Sequence, residues 1–184
     1  PELAAIRLGY GLSPLMPPPP DAEAVLAGAA QAGPGPEAIT TEKARGLAVQ
    51  LRELAQSRDM AGMAGMAATE EYRIFARSLD RMMLTDLQRR MARAVDDPIG
   101  FGERLVQFWG NHFTARPLGA VAQPLAMAFV DEAIRPHVNG RFEEMFFAAD
   151  THPMMLIYLN QTDSRGPNSS FATKHPAKAF GLNE

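Results

Sequence analysis

An apolar stripe in the middle of the chain constrains the fold more than any other sequence feature. It extends over more than about six helical turns, from about Thr69 to Val95. Its members recur every three or four residues: Tyr72, Phe75, Leu79, Met83, Leu87, Met91 and Ala94. That spacing is typical of an α-helix with one apolar face, which turns toward the core of a globular protein. The sequence therefore predicts a long helix that buries this stripe.

The charged residues of the same segment favour a solvated helix face over a nucleic-acid-binding surface. Arg73, Arg77 and Arg81 lie one turn apart, away from the stripe. Acidic residues nearly balance the arginines of the segment, and they are Glu70, Glu71, Asp80, Asp86 and Asp96. The whole chain has 18 basic and 21 acidic residues and a net charge of −3. We therefore expect ion pairs on this face and no binding to nucleic acid by phosphate neutralisation.

Proline and glycine mark long connections between helices. The stretches Ser13–Pro20 and Gly33–Thr41 are predicted to be extended, because proline fixes φ and removes a helical donor. Asp21 between them is a suitable N-cap for a short helix to about Gly28. We also expect a mobile connection at "DMAGMAGMAA" and a polar, poorly anchored loop over Gln161–Gly181.

Further helical segments follow from capping signals and apolar spacing. One helix begins at about Glu42, and Asp97-Pro98 predicts the start of another that ends at about His112. Others are expected from Pro124 to about Arg135, across "NGRFEEMFFAAD", and across "PMMLIYLN". No segment alternates with period two. The predicted fold is an all-α, orthogonal multi-helix bundle of about seven or eight helices with long Pro/Gly-rich connections, in one domain over residues 1–184.

Several classes of site lack support in the sequence. The chain has no cysteine, which removes disulfides, thiol nucleophiles and thiolate metal ligands. It also has no uninterrupted apolar run of about 18 residues, so we expect no membrane span. Neither an HExxH metal motif nor a GxSxG nucleophile elbow is present, and the "GYG" and "GPGP" stretches lack the strand-to-helix context of a phosphate loop. The sequence therefore predicts no metal, nucleotide or other cofactor.

The stretch "RLVQFWGNHFTARP" carries the most informative polar residue. Phe101, Leu105, Phe108 and His112 fall on one helical face, which favours a core histidine bonded to backbone groups. The alternative is a site. If the helix ends meet at one rim, the catalytic candidates for acid–base or metal chemistry are His112, His137, Asn160 and Glu184.

Five segments together resemble one bacterial family. They are "AAIRLGYGLSP", "ERLVQFWGNHFT", "AIRPHVNGRFEEM", "HPMMLIYLNQTDSRGPNS" and "GLNE". Their order and spacing are similar to those of the family catalogued as domain of unknown function 1800. The resemblance implies no established activity. It implies exported relatives, a protein partner, and a larger domain of which this chain is the N-terminal fragment. No signal-peptide pattern opens the chain, and the localisation stays unknown, with export of the full-length protein left open.

Two functional hypotheses of different class follow. The first is a soluble helical scaffold or partner-binding module, whose methionine-rich, apolar surface adapts to a protein partner or to a second copy. Self-association is expected on the faces that carry Phe142/Phe146 or Trp109/Phe113. The alternative is a hydrolase-like or metal-dependent enzyme whose site a C-terminal half completes.

Overall fold

The computed structural model describes residues 1–35, 37–60 and 66–175, which form nine α-helices and no strand. The predicted all-α multi-helix bundle is confirmed, with two short helices at the ends of the described chain that the sequence did not predict. The helices are α1 (Glu2–Leu8), α2 (Ala22–Ala30), α3 (Thr41–Met60), α4 (Met66–Asp96), α5 (Phe101–His112), α6 (Gln123–Phe129), α7 (Phe142–Thr151), α8 (Pro153–Tyr158) and α9 (Ser170–Lys174).

The capping and breaker signals at the N-terminal end act as predicted. The Asp21 carboxylate accepts a hydrogen bond from the Ala24 amide at 2.8 Å and starts α2. Residues 11–20 and the described residues between 31 and 40 are not helical, and α3 begins at Thr41. The expected connection at "DMAGMAGMAA" lies partly in residues 61–65, outside the described residues.

The predicted start of α5 at Asp97-Pro98 is wrong by about one turn. The Asp97 carboxylate accepts a hydrogen bond from the Ile99 amide at 3.0 Å, which closes a turn rather than a helix. Gly100 then takes φ +71°, a left-handed conformation that favours glycine, and α5 begins at Phe101. The predicted end at His112 is confirmed.

The centre of the bundle is a buried segment that begins with α6. It continues through a π-helical turn (Val130–Ile134) and a 3-10 turn (Arg135–His137). Pro136 has no amide hydrogen and cannot extend the α-helical ladder, which accounts for the predicted end near Arg135. This segment packs against α3, α4, α5, α7 and α8. Its buried apolar residues form the main core with residues of the other helices, among them Ala44, Met145 and Met154.

The long helix α4 follows the predicted stripe only in its first half. Leu79 is fully buried, and Phe75 and Met82 are half-buried. After Met82 the pattern inverts. Four apolar residues of the second half are exposed by between 53 and 67%: Leu84, Leu87, Met91 and Val95. The prediction that the whole stripe faces the core is therefore wrong for Met83, Leu87 and Met91, whereas Ala94 is half-buried.

The predicted polar loop from Gln161 contains two helical pieces where the structure describes it. A 3-10 turn covers Gln161–Asp163, and α9 follows with Ser169 as its N-cap. Ala172 of α9 is buried. The expectation of a loop is wrong for residues 161–163 and 170–174, which are helical, and residues 176–181 lie outside the described residues.

Candidate functional site

A surface of six rings joins the end of α5 to α7, and we call it the aromatic face. Its ring centroids lie between 4.9 and 6.3 Å from their neighbours. The rings belong to Phe108, Trp109, His112, Phe113, Phe142 and Phe146. Phe108, Phe142 and Phe146 are 59, 49 and 50% exposed. Aromatic side chains that remain this exposed on adjacent helices are typical of interaction surfaces.

The interpretation of His112 as a core histidine is wrong. Its side chain is exposed, and its ring meets Trp109 and Phe113 edge-on at 5.4 and 4.9 Å between centroids. The helix α5 buries Gly102, Glu103 and Val106 instead, a face turned by roughly 140° from the one that the apolar spacing predicts.

Glycine and charge explain why α5 turns this way. A Cβ on Gly102 would lie 2.9 Å from the Gly28 carbonyl oxygen, so the missing side chain lets α5 pack directly on α2. The neighbouring Glu103 points inward to Arg135, which binds both of its carboxylate oxygens. Those contacts orient the helix, and His112 is left on the outside.

The remaining candidate residues lie in separate local settings. His137 ends the 3-10 turn, and its carbonyl accepts a hydrogen bond from the Gly140 amide at 3.0 Å. Asn160 has φ 52° and begins the turn after α8. Glu184 lies outside the described residues. Within residues 1–35, 37–60 and 66–175, no three His, Asp or Glu side chains are close enough to hold a metal ion. A shared site of His112, His137, Asn160 and Glu184 stays a prediction.

The sequence did not predict the network of buried charges centred on Arg135. The Arg135 guanidinium donates to the two Glu103 oxygens at 2.5 and 2.9 Å and to Asp131 Oδ1 at 2.8 Å. Arg135 and Asp131 are only 2 and 1% exposed. Bidentate arginine–carboxylate contacts of this kind are both strong and directional.

Three arginines from the second half of α4 complete the network. Arg89 bridges Asp86 and Asp131, while Arg90 binds Asp86 at 2.7 Å. Arg93 contacts Glu103 at 3.1 Å and also donates to the Gly33 carbonyl at 2.7 Å. The expectation that the charges of this segment are solvated is wrong for these residues. Solvation is confirmed for Arg73, Arg77 and Arg81, which are exposed, but among the described residues only Arg73 has an ion pair, with Glu70 at 3.7 Å.

The charges of the network do not balance. Arg89, Arg90, Arg93 and Arg135 face Asp86, Glu103 and Asp131, which is four positive against three negative groups. Burial and the nearby positive charge of Arg135 lower the pKa of Arg93. Burial also acts to lower the pKa of Arg135, but the hydrogen bonds and charges of Glu103 and Asp131 outweigh it, so that pKa is raised. The network joins α4, α5 and the π-helical turn, and its carboxylates are occupied by these ion pairs rather than free as a base.

A second polar cluster connects Thr41, Glu132 and His152. Thr41 donates from its amide and its hydroxyl to the two Glu132 oxygens at 2.9 and 2.5 Å. His152 Nε2 lies 3.0 Å from the Thr41 hydroxyl oxygen and 3.5 Å from Glu132 Oε2. His152 Nδ1 accepts a hydrogen bond from the Met154 amide, which starts α8.

The hydrogen bonds of this cluster exclude a threonine nucleophile activated by His152. Because Nδ1 is an acceptor, the neutral ring carries its proton on Nε2. The threonine proton points to Glu132, so neither ring nitrogen is free to remove it. Burial lowers the pKa of His152, although Glu132 opposes this effect. The cluster therefore holds the starts of α3 and α8 against the π-helical turn, and its imidazole is neutral. We call Thr41, Glu132 and His152 the Thr41 clamp.

Comparison with known protein families shows to which family the chain belongs. Residues 5–184 match the family described as a protein of unknown function, DUF1800. The chain belongs to this family. No curated protein and no solved structure matches it. Membership in DUF1800 confirms the resemblance of the five quoted segments and brings no activity with it, so the biochemical role of the chain is uncharacterised. That residues 1–184 form the N-terminal part of a larger domain stays a prediction.

In the part of the chain that the structure describes, no helix combines the length and apolar character needed to cross a membrane.

Proposed function

We propose that this chain is a helical partner-binding module and that the aromatic face is its contact surface for a protein segment with apolar side chains. The observation that carries the proposal is the set of half-exposed rings on α5 and α7. Rings held by their neighbours lose little conformational entropy when a partner covers them.

The polar clusters support a module more than an enzyme. The Arg135 network and the Thr41 clamp join helices to each other, and their carboxylates already accept hydrogen bonds from arginine or threonine. In the network, Nε and Nη1 of Arg89 are buried without a hydrogen-bond partner among the described residues. His112, an exposed candidate, contributes a ring to the aromatic face. Its surroundings are those of a recognition surface, where a histidine adds a polar edge to an apolar patch.

Trp109 is the single tryptophan of the chain and sits in this face, which makes it a direct reporter. The probe is a set of peptides selected against the protein from a displayed library of random sequences. We expect selected peptides to shift the Trp109 emission to shorter wavelength, because a bound apolar segment removes water from the ring. Phe146→Ser should weaken their binding by about tenfold or more, a free-energy change of about 1.4 kcal/mol.

Phe147→Ser is the matched control, since Phe147 is 69% exposed on the same helix but makes none of the ring contacts of the aromatic face. Peptides that bind the Phe146→Ser and wild-type proteins equally would contradict the proposal. So would turnover of ester, phosphate ester or peptide substrates that His112→Ala or His137→Ala abolishes, because that result belongs to the enzyme hypothesis.

A further inference from the structure

The second half of α4 presents an apolar seam to solvent. Leu84, Leu87, Met91 and Val95 follow a three- and four-residue spacing and are 57, 53, 60 and 67% exposed. The first and last of them are about 16 Å apart along the helix axis. Such spacing on one face is the pattern by which one helix packs along another. We call these four residues the α4 seam.

The two ends of the α4 seam carry opposite charge. Before it stand Arg77 and Arg81, both exposed and without an ion-pair partner among the described residues, with one carboxylate, Asp80, between them. After it stand Asp96, which is exposed, and Asp97. The seam therefore has a net basic N-terminal end and an acidic C-terminal end.

We propose that the α4 seam pairs with the same seam of a second copy of this chain, with the two helices antiparallel. In that arrangement Leu87 packs on Met91 of the second copy, and Leu84 packs on its Val95. The same register places Arg81 opposite the acidic pair of the second copy, and the two-fold symmetry repeats each contact. A parallel, in-register pair would instead place Arg81 on Arg81, so charge complementarity selects the antiparallel form.

The N-terminal segment widens the surface available to this pairing. A cavity of about 450 Å³ lies between residues 10–18 and the end of α4, and both Met91 and Val95 line it. Leu12 and Leu15 line the same cavity and are 57 and 89% exposed. A stable interface buries roughly 1,200 Å² or more in total, and the apolar rim of this cavity adds to the area that the four seam residues alone can bury.

The test is the oligomeric state of the full chain, measured by sedimentation velocity over a range of concentrations. We expect a monomer–dimer equilibrium for the wild type. Leu87→Glu should weaken dimerisation by about a hundredfold, because it places two carboxylates in an apolar contact. Circular dichroism checks that the variant keeps its helix content, which we expect at an exposed position. Arg52→Asp, an exposed charge reversal on α3, is the control and should leave the dimer unchanged.

Charge exchange tests the antiparallel register. Arg81→Asp alone and Asp96→Arg alone should each weaken the homodimer, because each places like charges opposite one another twice. An equimolar mixture of the two single variants should form a heterodimer, and the double variant should regain the wild-type association.

A monomer at every concentration would overturn the proposal. A dimer that Leu87→Glu leaves intact, or that Phe146→Ser dissociates instead, would overturn it too. Failure of the mixed variants to associate, with the wild type dimeric, would overturn the antiparallel pairing. These outcomes are separate from the peptide experiment, because the α4 seam and the aromatic face share no residue.

Discussion

The two halves of α4 bury opposite kinds of side chain. In residues 66–82 the helix turns Phe75, Leu79 and Met82 inward and leaves Arg73, Arg77 and Arg81 in solvent. In residues 83–96 it turns Asp86, Arg89 and Arg93 inward and leaves its apolar seam in solvent. The helix is continuous, so the inversion results from what packs against each half.

The first half lies against the apolar core, to which Met82 belongs, while the second half lies over Asp131, Glu103 and Arg135. Buried carboxylates need donors, and the arginines of α4 provide them. Leaving these charges unpaired would cost several kcal/mol, more than leaving a leucine side chain in water, which costs about 1.5–3 kcal/mol. A charged surface from elsewhere in the chain can therefore decide which face of a helix is buried, even against the spacing of its apolar residues.

Arg135→Met gives the largest expected effect, because it removes the centre of the charged surface beneath the second half of α4. Glu103 and Asp131 would lose their shared partner while still buried, and we expect the free energy of unfolding to fall by about 3–5 kcal/mol. Urea denaturation measures this change.

Arg141→Met is the control for that variant, because the Arg141 side chain is 74% exposed and forms only a surface ion pair with Glu143 at 3.3 Å. It should leave the midpoint of denaturation nearly unchanged. Equal effects of Arg135→Met and Arg141→Met would contradict the difference between the halves of α4, because the buried network would then contribute nothing to the free energy of unfolding.

Leu79→Ala and Leu87→Ala test the inversion with one substitution type on one helix. Leu79 is fully buried, so its truncation should cost about 2–5 kcal/mol through lost burial and a residual cavity. Leu87 is half-exposed, and its truncation in the monomer should change stability by less than about 0.5 kcal/mol. Denaturation at concentrations low enough to keep the chain monomeric separates this result from dimerisation. Similar losses for the two leucines would show that the second half is covered in solution.

The pH dependence of stability should come from His152 of the Thr41 clamp. Burial lowers the pKa of His152 in the folded protein, so the unfolded chain binds its proton more readily. Stability is therefore fully present above the unfolded pKa of about 6.5 and decreases as the pH falls below it, by at most about 1.4 kcal/mol per pH unit.

Denaturation midpoints from about pH 8 to about pH 5 measure this slope. His152→Asn keeps an acceptor for the Met154 amide and should flatten the curve near neutrality. Arg135→Met should leave the slope unchanged, because arginine does not titrate there. A steeper slope in the Arg135→Met protein would locate the pH-sensitive group in the charged half instead.

Local sequence signals predicted much of the fold. Asp21 caps α2, the π-helical turn ends just before Arg135-Pro136, and the proline runs remain outside helices. These outcomes depend on backbone geometry within a few residues, which the sequence states directly. The start of α5 was mispredicted because Asp97-Pro98 makes a turn as readily as a helix start, and Gly100 decides between them only in the folded chain.

The candidate site was harder to predict. The sequence located the aromatic residues of α5 and α7 but assigned His112 to the core. It treated Asp86 as solvated and did not single out Glu103 or Asp131. The one sequence signal for the network was the position of Arg135 at a helix end. The pairings themselves join residues that are far apart in sequence, as Arg89 and Asp131 are, at a separation of 42 residues. No periodic pattern records a pairing at that separation.

The sequence by itself determined that this chain is helical, where most of its helices begin and end, and to which family it belongs. Each of these depends on spacing, capping and breaker residues that act over one or two turns. Only the tertiary structure decided which face of α4 and of α5 is buried. The physical reason is that burial depends on the surface opposite the helix, and here that surface carries Asp131 and Arg135. Because the arginines of α4 and Glu103 pair with these charges, they are turned toward the interior. The α4 seam and the aromatic face therefore remain exposed.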